Sequence, residues 1–260
     1  MFYWFYKNLD INILQYISVR AGFAFFIGFL FTMYFMPKFI KWAKKRKANQ
    51  PIYEYAPDTH KVKVGTPTMG GVVFIAGTLF ATILTAKLNN PYVVGAILAI
   101  GTFCAIGIKD DIAKISANKN DSGLTPKAKM ILQVVASFLV VGVLFYANHT
   151  TTLYVPFYKL PLFDMGFYAI IFWVLVMVST TNAVNLTDGL DGLATVPSII
   201  AFFTLSVIVY VTGHLMFSNY LLMPHIPLVG ELSVVGAGFI GSLIAFLWFN
   251  SHPAQVFMGD

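Results

Sequence analysis

Charge is scarce in this 260-residue chain: Asp, Glu, Lys and Arg together make 11% of it, against the roughly 25% of an ordinary soluble domain. A surface so poor in ionised groups cannot be covered against water, but it can be covered against lipid. One cysteine is present, Cys104, inside an apolar run. A disulfide framework and a cysteine-based metal site are therefore excluded, and a small buried thiol is the plain expectation. The N-terminus, Met1-Phe2-Tyr3-Trp4, lacks a basic stretch followed by a small-residue cleavage site, so no cleavable leader is expected there. The glycine-containing stretch 65–71 lacks a Gly-Lys-Ser/Thr ending, which rules out a Walker A loop. His60, His149, His214 and His225 lack metal-ligand spacing and read as loop residues. No internal repeat or low-complexity tract stands out.

What the chain does have is apolar length. Hydrophobic residues make 58% of it, and its mean hydropathy is +0.74. Seven apolar runs can be drawn, at about Ala21–Met36, Gly70–Ala86, Pro91–Ile108, Met130–Ala147, Gly166–Val184, Leu193–Val211 and Leu232–Phe249. Each is near the ~20 residues a helix needs to cross the hydrocarbon core, allowing for polar flanks and tilt. Backbone groups in lipid must bond internally, and the runs show no strict alternation, so helices are expected rather than barrel strands. The fold class is all-α: a polytopic integral membrane bundle of seven helices, with residues 1–260 as one membrane domain.

A net charge of +6 invites a nucleic-acid reading, but the basic residues alternate with apolar runs and form no aromatic-interleaved patch. The bias of cytoplasmic connections toward Lys and Arg explains them better. Eight follow the first run (Lys38, Lys41, Lys44, Lys45, Arg46, Lys47, Lys61 and Lys63), and five follow the third (Lys109, Lys114, Lys119, Lys127 and Lys129). Lys7, Arg20, Lys87 and Lys159 complete the 17 and fall on the other side. The N-terminus is thus expected outside, with the connections at about 37–69, 109–129, 185–192 and 250–260 in the cytoplasm.

The acids sort the same way. Asp110, Asp111, Asp188, Asp191 and Asp260, five of the eleven acidic residues, fall on the lysine-rich side, carried by connections far apart in sequence. None of the seven runs contains an acid. A transporter or channel working through carboxylates at mid-membrane is therefore disfavoured. A non-catalytic membrane scaffold is at odds with such dense polar motifs. An enzyme acting at the membrane face fits.

Four motifs carry that reading. Asp110-Asp111 closes an inward-running helix, where the partial negative charge of the helix end is unfavourable to acids without a compensating cation. The acids are either solvated and paired with Lys109 or Lys114, or they serve a metal-phosphate substrate or act as a base. Side chains of helical neighbours point about 100° apart, so one of the two at most faces the reacting atoms squarely. In the stretch from Asn182 to Leu193, Asp188 and Asp191 are three apart and share a face if the segment coils. Gly189 and Gly192 permit close backbone approach to a ligand. An N-cap for the following helix would explain one aspartate, but not the asparagines and glycines beside it. From Lys63 to Gly71, Pro67 and the glycines are ordinary at a helix start. Alternatively, free amides there, with Lys63 and Thr68 as added donors, bind a phosphate. In the stretch from Asn250 to Asp260, Asp260 is a candidate magnesium ligand, because hard cations take a few carboxylates plus substrate phosphates. Phe257 either stacks on a base or simply packs.

Taken together, Gly65-Thr66-Pro67-Thr68-Met69-Gly70-Gly71, Asp110-Asp111, the stretch Asn182–Ala194 and Phe257-Met258-Gly259-Asp260 resemble the bacterial phospho-N-acetylmuramoyl-pentapeptide transferases. These belong to the polyprenyl-phosphate N-acetylhexosamine-1-phosphate transferase superfamily. The resemblance runs the whole chain in order, and its wording is closer to the muramoyl branch than to the N-acetylglucosamine branch. It implies a plasma-membrane enzyme of about ten helices, a homodimer with Mg²⁺ as cofactor, a periplasmic N-terminus and a cytoplasmic site. It implies transfer of phospho-MurNAc-pentapeptide from UDP-MurNAc-pentapeptide to undecaprenyl phosphate. The products would be lipid I and UMP, in the first membrane step of peptidoglycan synthesis. By motif, Asp110, Asp111 and Asp260 match essential aspartates, with Asp260 the metal ligand. Asn185, Asp188, Asp191, Asn250 and Phe257 match nucleotide-pocket positions, and Lys63 and Lys129 match phosphate-side lysines, with Thr68 and Gly189 as further substrate-binding candidates. The family continues beyond the Met-Gly-Asp motif with further helices and a histidine-rich loop, so the chain is expected to be a truncated form, inactive by itself. A transferase acting on another UDP-N-acetylhexosamine is the runner-up.

Overall fold

The computed structural model describes residues 1–46, 66–117, 123–155, 158, 160–188 and 190–260. A short helix, α1 (Phe2–Leu9), leads into α2 (Ile17–Lys45). Then come α3 (Gly71–Thr85), α4 (Pro91–Ala117) and α5 (Pro126–Tyr146). A two-stranded antiparallel hairpin, β1 (Thr152–Leu153) and β2 (Phe163–Asp164), pairs Thr152 with Asp164 and Leu153 with Phe163. The chain goes on through α6 (Tyr168–Thr187), α7 (Thr195–Thr212), the short α8 (Leu215–Tyr220) and α9 (Leu232–Asn250). The seven expected runs lie on α2 to α7 and α9, and among the described residues six helices are long and apolar enough to cross a membrane.

Where the helices depart from the runs, polar residues continue a helix that hydropathy had closed. α2 runs to Lys45 and α4 to Ala117, so both enter segments expected as connections, 37–69 and 109–129. Asp110 and Asp111 therefore lie two turns inside α4 rather than at its end, and the helix-end charge bears on them less than expected. α5 starts four residues before its apolar run. Pro126 takes the first position, and the Thr125 hydroxyl accepts from the Ala128 amide at 3.3 Å. In the other direction, α3 has only 15 residues, a rise of about 22 Å, short of the ~30 Å hydrocarbon core.

α9 is the axis of the bundle. It packs against α2, α3 and α7, and its small residues let neighbours come close. A methyl group on Gly28 of α2 would lie 2.6 Å from both the Gly238 carbonyl oxygen and Ser242 Oγ of α9. Such small-residue contacts replace the hydrophobic drive that helices lack in lipid. Met36, Ile40, Phe74, Leu243 and Phe246 form the core toward one end, and Ala24, Ala86, Val93 and Val234 toward the other. α4, α5 and α6 lie alongside, with Val141, Val174 and Val178 sealing α5 to α6. Large apolar side chains such as Phe26, Leu30, Ile171, Ile200 and Phe203 point outward, as lipid-facing surfaces do.

Successive spans alternate in direction, so the bundle has two chemically distinct ends. At the end away from the acids expected to act together, Arg20 is fully buried and forks onto the Glu231 carboxylate, with one nitrogen to Oε2 at 2.9 Å. It also donates to the Thr85 carbonyl at 3.2 Å, and the Lys87 amide donates to Glu231 at 2.8 Å. The start of α2, the end of α3 and the start of α9 are thereby tied together.

Candidate active site

At the opposite end, three aspartates meet. Asp110 and Asp111 diverge as helical neighbours must. Asp110 is buried toward α5: one oxygen accepts from the Leu124 amide at 2.6 Å, the other from Lys114 at 2.8 Å and Lys129 at 3.4 Å. Asp111 turns the other way and accepts from the Asp260 amide at 3.1 Å. Asp260 itself shares Oδ2 between Lys114 at 2.6 Å and Lys129 at 2.7 Å. The paired reading of Asp110 with Lys114 is thus correct but incomplete, since the same lysine also bridges to a residue 146 positions away. Lys114 is the main site residue that motif reasoning passed over; its place one turn beyond Asp110 was the available signal.

Asp260 reaches this position because two glycines let it. A methyl on Gly107 of α4 would lie 2.7 Å from the Asp260 carbonyl carbon and oxygen. Gly259 has φ +85°, a conformation that other residues rarely adopt. The segment before it is laced to the start of α3. The Phe257 amide donates to the Pro67 carbonyl at 2.9 Å, Gly70 to Phe257 at 2.9 Å and Gly71 to Met258 at 2.8 Å. This lacing changes one expectation. The amides of Gly70, Gly71, Val72 and Val73 are all bonded to backbone carbonyls, so the start of α3 offers none of them to a phosphate. Thr68 is buried beside this ladder and lines neither of the cavities that flank Asp260. Lys63 and Gly189 lie outside the described residues.

The two cavities flanking Asp260 share Thr181, Phe239, Met258 and Gly259 as walls. The smaller, about 220 Å³, is lined by Asp111, Gly107 and Cys104 and runs along α4. The larger, about 380 Å³, is lined by Asn185 and Asp188 and by the apolar Phe202, Leu205 and Leu243. Each therefore joins carboxylates at the bundle end to apolar walls between helices.

Asp191 and Asn250 do different work. Asp191 accepts from the Ala254 amide at 3.3 Å and bonds the His252 ring at 3.0 Å. Buried Asn250 accepts from the Gly192 amide at 3.1 Å and the Thr195 hydroxyl at 2.8 Å, and donates to the Val256 carbonyl at 3.0 Å. Both hold the 250–256 loop against the start of α7, and Phe257 is fixed through its backbone.

Electrostatically the site is short of positive charge. Asp110, Asp111, Asp188 and Asp260 face two ammonium groups, Lys114 and Lys129, among the described residues. Burial pushes the Asp260 carboxyl up, but its hydrogen bonds with Asp110, Lys114 and Lys129 outweigh that and hold it well below the usual carboxylate range. Asp188 shows the opposite. Burial, then the charges of Asp260 and Asp111, push it up to about 7. No His, Cys, Asp and Glu group of three or more is spaced to hold a metal among the described residues. A hard cation held by one or two carboxylates and substrate phosphates needs no such group, and the surplus of acids suits it.

The sequence is similar to that of known proteins along its whole length. The model of glycosyl transferase family 4 matches residues 93–260, and a phospho-N-acetylmuramoyl-pentapeptide-transferase signature matches residues 63–75. Three relatives carry the name phospho-N-acetylmuramoyl-pentapeptide-transferase. The protein from Aliarcobacter butzleri is 64% identical over 260 residues, that from Nitratiruptor sp. 58% over 261, and that from Campylobacter curvus 54% over 261. Each alignment takes in 100% of this chain and 74% of the relative.

Proposed function

The chain belongs to glycosyl transferase family 4, in its phospho-N-acetylmuramoyl-pentapeptide-transferase branch, and from that premise we propose how its residues carry the transfer. The transferred group is the phospho-N-acetylmuramoyl-pentapeptide. The donor is UDP-MurNAc-pentapeptide and the acceptor undecaprenyl phosphate, and the products are lipid I and UMP. The single observation that carries the reading is the Asp260 carboxylate, held by Lys114 and Lys129 at the rim of two apolar-walled cavities. A charged diphosphate and a prenyl chain both find their chemistry there.

An acceptor phosphate oxygen attacks the sugar-linked phosphorus of the donor. A new P–O bond forms as the bond to the bridging oxygen breaks, and UMP leaves with that electron pair. Charge neutralisation dominates such a reaction. Lys114 and Lys129 bind the phosphate oxygens, and Asp260 with a neighbouring acid would hold Mg²⁺, which would supply neutralisation of the phosphate charge there. Asp111, which lines the smaller cavity, orients the acceptor phosphate or takes its last proton. The second pKa of such a phosphate is about 6, so the base contributes modestly. Asp110, occupied by two lysines and an amide, positions those lysines. Asn185 and Asp188 face the nucleotide. Asp191, Asn250 and Phe257 shape its base pocket together with Gly189, Lys63 serves the phosphate side, and the larger cavity takes prenyl carbons.

The protein works in the bacterial inner membrane with the site end cytoplasmic, which the exposed Lys38, Lys41, Lys44, Lys45 and Arg46 on that end of α2 support. The homodimer is inferred from family resemblance alone. The test is UMP release by the complete-length protein from the two substrates and Mg²⁺. Asp260→Ala is expected to abolish it, and release that survives the change would remove the metal-ligand role.

A further inference from the structure

The α5–α6 interface is apolar along most of its length, yet near the site end it holds two amides. Gln133 of α5 is almost fully buried and faces Asn182 of α6. The Asn182 amide donates to Gln133 Oε1 at 2.8 Å and the Gln133 amide returns to Asn182 Oδ1 at 3.5 Å. Asn182 also donates to the Val178 carbonyl, one turn back, at 2.8 Å. Removing two amides from water inside a helix interface is costly, and a pair of leucines would fill the space without that cost. What the amides add is direction. Valine contacts such as Val141 with Val174 and Val178 tolerate sliding along the helix axis, whereas a reciprocal amide pair fixes it.

That register matters because of what each helix carries. Lys129, one turn from Gln133 on the same face of α5, reaches Asp110 and Asp260. Asn185 and Asp188, three and six positions beyond Asn182, line the larger cavity. Thr181, beside Asn182, walls both cavities. α6 packs chiefly on α5, so its axial position relative to the rest of the site is set at this one interface. We propose that Gln133 and Asn182 form a positioning clamp, which fixes Asn185 and Asp188 relative to Lys129 and Asp260 without touching the reacting atoms. The inference rests on the transferase reading above.

The experiment uses the complete-length enzyme in nanodiscs, with UMP release and melting temperature read on every variant. Gln133→Asn shortens one arm of the pair, and Gln133→Met removes it at nearly constant volume. Gln133→Asn with Asn182→Gln restores the summed length. Each single change is expected to lower kcat by about tenfold or more, with donor KM within about threefold and melting unchanged, because misalignment costs turnover rather than binding. The double change is expected to recover kcat to within about threefold of the unaltered enzyme. Single variants at full speed, a double variant no faster than either single, or melting that falls in step with kcat would each overturn the clamp. The unaltered enzyme is the reference: its failure to turn over would overturn the transferase reading, whereas its turnover beside full-speed variants overturns only the clamp.

Discussion

Asp260 and Asp188 share a cavity and are driven in opposite directions, one down by hydrogen bonds with Asp110, Lys114 and Lys129, the other up by burial and the neighbouring acids Asp260 and Asp111. Two predictions follow from that contrast. Lys129→Met leaves Lys114 alone among these acids and removes a donor aimed at the phosphates. Turnover is expected to fall about 10²-fold or more, with protein yield retained, as assayed by UMP release. For Asp188, the folded carboxyl titrates at about 7 against 3.8 when free, so the fold favours its protonated form. The stability this contributes is complete below the free value and is lost as pH rises through 7. In Mg²⁺-free buffer the melting temperature of Asp188→Asn, relative to the unaltered chain, should therefore climb between about pH 4 and pH 8. A flat difference would deny the shift. The aspartates were legible as residues, since acids beside apolar runs are conspicuous. The local pairing of Asp110 with Lys114 was legible too, but the bridge from Lys114 to Asp260 was not, because it closes a gap of 146 positions that no local pattern encodes.

Among the elements, apolar length told nearly everything about the spans and little about their ends. α4 outlasts its apolar run because Asp110 and Lys114 pair one turn apart and keep the helix going. Hydropathy sees only a stop there. The hairpin β1–β2 and the short α1 and α8 escaped notice for a related reason: elements of two to eight residues carry too little periodicity to register. Gly107 on α4 had no visible role in the sequence, and its importance comes from contact with the Asp260 backbone. Gly107→Leu is expected to push the 257–260 segment off α4 and to abolish turnover while the protein still inserts and folds. Activity assays alongside size-exclusion profiles in detergent would check this, and a fully active variant would refute the close approach.

For the whole molecule, the alternation of spans separates a polar, reactive end from the end pinned by Arg20 and Glu231. With Cys104 replaced by Ala, single cysteines at Lys45, Leu190 and Ser251 should all react with an impermeant maleimide from one side of a sealed vesicle. One at Met216 should react only from the other. Any of the first three crossing sides would break the shared site. The brevity of α3 has a consequence of its own. Its rise of about 22 Å ends short of the level that α2 reaches at Lys45, so the ladder of Pro67–Gly71 with Phe257–Met258 lies deeper along the bundle than that end of α2. Bilayer thickness should then act as a throttle. In vesicles of lengthening acyl chain the water-borne nucleotide has farther to descend, and UMP release is expected to decline steadily while the enzyme stays folded.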